Sequence, residues 1–95
     1  MDKVDAWLQQ SMSSGGKLLV TEEELGKEFF DLSTGIAGQL MQKFVTYGQR
    51  LAIVVVDSAE YSARFRELAL EHNNHHAIRF FPSAALAANW LEQQE

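Results

Sequence analysis

Ninety-five residues make one small domain, and 46% hydrophobic with 22% charged residues is a globular composition that excludes disorder. Thirteen acidic against eight basic side chains give a net charge of -5 with no Lys/Arg cluster, so duplex nucleic acid and anionic membrane are excluded as partners. The absence of cysteine removes disulfides, thiol catalysis and Cys-ligated zinc, and without an apolar run of about eighteen residues or a signal-peptide design at Met1 the expected location is cytoplasmic.

In chain order, Val4, Trp7, Leu8 and Met12 form the apolar stripe of a short helix over 2–12, stopped by the serines and glycines from Ser11 to Gly16. Lys17–Thr21 is too short an apolar run for a helix and is predicted as a strand buried on both faces. Thr21 and Glu24 have capping-box spacing, which predicts a helical turn closed by Gly26. The aromatic pair Phe29-Phe30 then implies that the connecting chain folds back onto the core.

A helix is predicted over 34–46 from Ile36, Ala37, Leu40, Met41, Phe44 and Val45, capped by Ser33 or Thr34 and ended by Tyr47-Gly48. The β-branched run over 50–56 is the central strand. A third helix over 59–72, capped by Asp57 and Ser58, has Tyr61, Phe65, Leu68 and Ala69 as its inner stripe. Strand 77–81 carries Arg79 and so belongs near a sheet edge. Ser83 caps a last helix over 83–93. Strands alternating with helices predict an α/β domain with a mainly parallel sheet of three to four strands. Crossovers wound in one direction place their helices on a single face, leaving the other to the terminal helices or to a second copy of the chain in a homodimer.

The stretch from Asp31 to Gly38 contains the candidate site. Asp31, Ser33, Thr34, Gly35 and Gly38 stand at a helix N-terminus, where free N–H groups and the dipole favour an anion or a phosphorylated hydroxyl. It is not a Walker loop, since no Gly-Lys-Ser/Thr follows, and its glycine spacing is not that of a dinucleotide fingerprint. The structural alternative is a plain cap, with Gly38 allowing the helix close to the sheet. Asp57 and Ser58, directly after the central strand, are candidate ligand-binding residues because ligands of open α/β sheets sit beyond the strand carboxyl ends. His72, His75 and His76 lack the spacing of a recognised metal site and read as a solvated turn. No nucleophile stands in a catalytic motif, so neither catalysis nor a cofactor is expected, and Trp7 and Trp90 read as packing anchors.

The segment Phe29-Phe30-Asp31-Leu32-Ser33-Thr34-Gly35-Ile36-Ala37-Gly38-Gln39-Leu40-Met41-Gln42-Lys43-Phe44, with Tyr47 and Arg50-Leu51-Ala52-Ile53-Val54, resembles the bacterial family called domain of unknown function 4180. The resemblance runs from about Val4 to Leu91, and it implies a further N-terminal segment with a strand, which this sequence does not have. The order of elements is also similar, more distantly, to STAS domains, the anti-sigma-factor antagonist architecture. That resemblance implies a single regulatory domain that contacts an unknown protein partner, with Thr34, just ahead of Gly35, at the phosphorylatable position and Asp31 as the acidic residue before it. The alternative is a small-ligand or anion-binding module using the helix N-terminus at Thr34 to Gly38.

Overall fold

The computed structural model describes residues 3–56, 61–72 and 75–94, with Leu32 described by its backbone alone. Helix α1 spans Lys3–Ser13, strand β1 Lys17–Thr21, α2 Glu22–Leu25, α3 Lys27–Phe30, and a 3-10 turn Leu32–Thr34. They are followed by α4 Ile36–Thr46, β2 Arg50–Val54, α5 Ala63–Glu71, β3 Ile78–Phe81 and α6 Ala84–Glu92. Among the described residues the three strands form one parallel sheet in the order β1-β2-β3. The protein is an α/β domain, with the predicted central strand in the middle and Arg79 on an edge strand.

Register and period decide what each sheet face buries. Val20, Ile53 and Phe80 lie side by side on one face, as do Leu19, Ala52 and Arg79 on the other. The first face holds the main core, where Leu51, Ile53 and Ile78 meet Val4, Leu25, Phe29, Leu40, Phe44 and Phe65 from α1 to α5. Both crossover connections therefore lie on this face, as parallel right-handed units require. The second face is covered by α6, whose Ala87, Trp90 and Leu91 pack on Ala52, Val54, Leu19 and Phe81. The chain's own last helix thus shields the centre of that face, which removes the need for a second copy there.

Phe65 is the hub of the main core. Its ring lies 4.9 Å from Phe30, 5.2 Å from Tyr61, 5.5 Å from Phe80 and 6.5 Å from Phe29, each in an edge-to-face arrangement. Trp90 anchors the second face, with Phe81 at 5.7 Å and the Arg79 guanidinium 5.2 Å over its ring. Trp7 is likewise buried, so both tryptophans are packing anchors.

Local signals succeed where they are self-contained. Thr21 and Glu24 form the full capping box, and Gly26 ends α2 with φ 80°. Ser83 caps α6, accepting the N–H of Leu86. Phe29 and Phe30 are buried, although they form a short helix, α3, where the sequence suggested only connecting chain.

Several expectations need correction. Strand β1 is an edge strand, so of its residues Val20 alone is fully buried. The α1 stripe ends on buried Ser11, which donates to the Gln49 side chain at 2.9 Å, while Met12 is exposed. Helix α4 starts at Ile36, not at 34, because Gly35 adopts the left-handed conformation (φ 77°) and reverses the chain out of the 3-10 turn. Val45 is exposed on its outer side. Regular pairing of β2 ends at Val54; Val55 is buried and donates to Phe81 O, but Val56 is 71% exposed. Strand β3 starts at Ile78, one residue late. Helix α5 starts at Ala63 with Ser62 as its cap, so Tyr61 packs on the core from outside the helix, and Asp57 and Ser58 lie outside the described residues.

Candidate functional site

The Asp31 to Gly38 segment is built from the core outward. Phe29 and Phe30 anchor α3 against the main core, and the chain turns over them into exposed Asp31, Ser33, Thr34 and Gly35. The Asp31 carboxylate accepts from the Ser33 hydroxyl at 2.6 Å and from the Ser33 N–H at 3.0 Å. These bonds favour its charged form, the hydroxyl first, and hold its carboxyl below the usual aspartate range. The Thr34 hydroxyl lies 2.8 Å from both Glu28 O and Asp31 O, which share its single proton, and accepts the Ile36 N–H at 3.3 Å. Thr34 therefore closes the turn and caps the helix from one position further back than a standard N-cap, whereas Ser33 serves Asp31.

This arrangement bears directly on an anion at the same helix end. One of the first free N–H groups of α4 is already taken by Thr34, and the Asp31 carboxylate stands three residues before Thr34. Gly38 has no close contact with the sheet: it is exposed, and a Cβ there would meet nothing within 4 Å. Its predicted role as a packing glycine is corrected accordingly. Together with Gln39, Gln42, Val45 and Thr46 it makes an outward α4 face without a charged residue. The charge that α4 does carry, Lys43, is half-buried and paired with Asp5 of α1.

At the carboxyl end of the sheet, the side chains that the structure brings together differ from those that sequence reasoning chose. Asp57 and Ser58 lie outside the described residues. Glu22, read from sequence only as a first-turn acid, accepts the Val56 N–H at 2.9 Å and the Tyr61 hydroxyl. Tyr61 in turn stacks on Phe30, with centroids 4.2 Å apart and planes at 10°. Beside them, Val55, Val56, Phe65, Arg66, Leu70 and Phe81 line an open groove of about 340 Å³. Leu70 was the available signal, since it is an apolar residue out of phase with the α5 stripe.

The histidines form a row, with the His72 and His75 rings tilted at 33° and centroids 5.0 Å apart, and His75 and His76 stacked at 4.6 Å. The His72 Nδ1–H donates to Leu68 O at 2.9 Å. His75 Nδ1 accepts the N–H groups of Ala77 at 3.0 Å and Ile78 at 3.2 Å, which requires the neutral ring with its proton on Nε2. Desolvation, then the neighbouring charges of His72, His76 and Arg79, push its pKa below the ordinary histidine value. Among the described residues no group of three His, Cys, Asp or Glu side chains is placed to hold a metal ion. In the same residues no helix is long and apolar enough to cross a membrane.

No curated protein matches this chain, and no solved structure does. The family described as Domain of unknown function (DUF4180) matches residues 2–91, nearly the whole sequence and all of the sheet and its covering helices but the last residue of α6. The protein belongs to the DUF4180 family.

Proposed function

We propose that this protein is a cytoplasmic, STAS-like regulatory module that acts by contacting another protein through the 31–38 segment and the outward face of α4. The observation that carries this reading is the charge-free exposed face of Gly38, Gln39, Gln42, Val45 and Thr46. Centres of protein interfaces are depleted in charge because each buried ion must be desolvated, whereas a helix face left to water ordinarily carries charged residues. The turn that leads into the face is held by its own hydrogen bonds, so a partner orders little chain on docking.

Thr34 is the regulatory residue in this reading. A phosphate on its oxygen removes the hydroxyl proton donated to Glu28 O and Asp31 O and places negative charge against two carbonyls and close to Asp31. The turn must then rearrange, and the surface presented to the partner changes with it.

Site-specific photo-crosslinking tests the proposal. A photoreactive residue at Gln42 should give one discrete adduct in cells, the same probe at Glu67 on α5 should not, and both Gly38→Arg and Thr34→Glu should abolish the Gln42 adduct. Gly38→Arg points into open space and should keep the native melting transition. An adduct of twice the chain mass identifies a second copy as the partner. Equal labelling at both positions, or an adduct untouched by Gly38→Arg, overturns the reading.

A further inference from the structure

The helices that follow β2 and β3 lie on opposite faces of the sheet. After β2 the chain continues to α5, which packs on the main-core face; after β3 it turns at Pro82-Ser83 into α6 on the opposite face. Where adjacent parallel strands send their exits to opposite faces, a crevice opens between the strand ends, and this is the general ligand position in open α/β sheets. The groove lies there, with Val55 and Val56 from the β2 exit, Phe80, Phe81 and Pro82 from the β3 exit, and Phe65, Arg66, Ala69 and Leu70 from α5.

Its chemistry is one-sided. The floor is apolar, with Phe65 and Val55 buried, and the rim exposes Val56 and Leu70, at 71% and 74% the two most exposed large hydrophobic residues among those described. The single charged side chain in the lining is Arg66. Along α5 its neighbours three and four positions away are Ser62, Ala63, Ala69 and Leu70, none a carboxylate, and among the described residues it makes no ion pair. A cation with no ion-pair partner among the described residues, beside an apolar crevice in a chain of net charge -5, is complementary to an anionic head on an apolar body. The volume of about 340 Å³ is that of a small molecule, roughly eleven waters at ~30 Å³ each, and too small for a peptide helix.

We infer that this crevice binds a small apolar carboxylate, its chain over Phe65 and between Val56 and Leu70 and its carboxylate on Arg66. The site is separate from the α4 face and stands or falls independently of it.

Octanoate, octan-1-ol and octylammonium, titrated into the full chain and followed by amide chemical shifts, test the inference. Octanoate should produce saturable shifts at Val55, Val56, Arg66, Ala69, Leu70 and Phe81, with an affinity at least five-fold above that of octylammonium. Arg66→Gln should weaken octanoate about five-fold and leave octan-1-ol unchanged, and Leu70→Glu should weaken both. Arg66 and Leu70 are exposed, so both variants should melt as the parent does. No saturable shift at these residues, equal affinity for the anionic and cationic probes, or shifts produced only by an acidic amphipathic peptide would each overturn it, the last in favour of a protein occupant.

Discussion

The Glu22 carboxylate, on the first residue after β1, accepts the N–H of Val56, the residue that follows the buried end of the central strand, at 2.9 Å. The same carboxylate accepts the Tyr61 hydroxyl, so one acid fixes the chain just after β2 and again just before α5. Both bonds are charge-assisted, but the first is exposed and the second only part-buried, which sets their worth near 1–2 kcal/mol together. Glu22→Ala should lower stability by about that amount, and Tyr61→Phe by about 1 kcal/mol. In a double-mutant cycle read by urea unfolding, the two should couple by at least ~0.5 kcal/mol. Strict additivity would show that the Tyr61 bond contributes nothing.

Phe65 is fully buried among four aromatic rings, and no neighbour can fill the space it leaves without losing its own packing. Phe65→Ala should cost about 3–5 kcal/mol, a large share of the stability of a domain this size. Thermal melting monitored by circular dichroism checks it, and a fall of only a few degrees would place the hub elsewhere.

Gly35 and Gly38 stand three residues apart and should respond to alanine in opposite directions. Gly35 has φ 77°, a conformation that costs an L-residue about 1–2 kcal/mol, so Gly35→Ala should destabilise by roughly that amount. Gly38 lies inside α4 with open space at its Cβ position, so Gly38→Ala should stabilise by about 0.4–1 kcal/mol. Chemical denaturation of the two single variants measures both signs.

Stability should depend on pH through His75. Its folded pKa lies below the ordinary value of 6.5, so between the two the unfolded chain binds more protons and stability rises with pH. The contribution is present in full above about pH 6.5 and is lost as pH falls through the folded value, because protonation of Nδ1 ends the bonds from Ala77 and Ile78 that begin β3. The charges facing the ring are those of His72, His76 and Arg79, all of which oppose its protonation. Melting temperatures measured from pH 7.5 to 5 should fall in the parent and fall less in His75→Asn, whose side-chain oxygen stays an acceptor. Parallel pH profiles for the two proteins would exclude His75 as the source.

The amino-acid order determined the α/β class, the central position of the Leu51 strand and the caps at Thr21 and Ser83. Each of these rests on neighbours within a few residues or on an apolar run long enough to need burial on both sides. Tertiary structure decided the rest. Val56 continues an unbroken apolar run, yet it passes the last paired residue and stands in water; only the end of the sheet says so. Gly38 reads as a close-approach glycine until the orientation of α4 turns it outward, since helical periodicity defines a face but not which small residues on it touch a neighbour. Glu22 and Tyr61, like Arg66 and Phe81, are far apart in sequence and share no motif. They meet because parallel strands bring their exits to one edge of the sheet, a long-range consequence of register that no local pattern encodes.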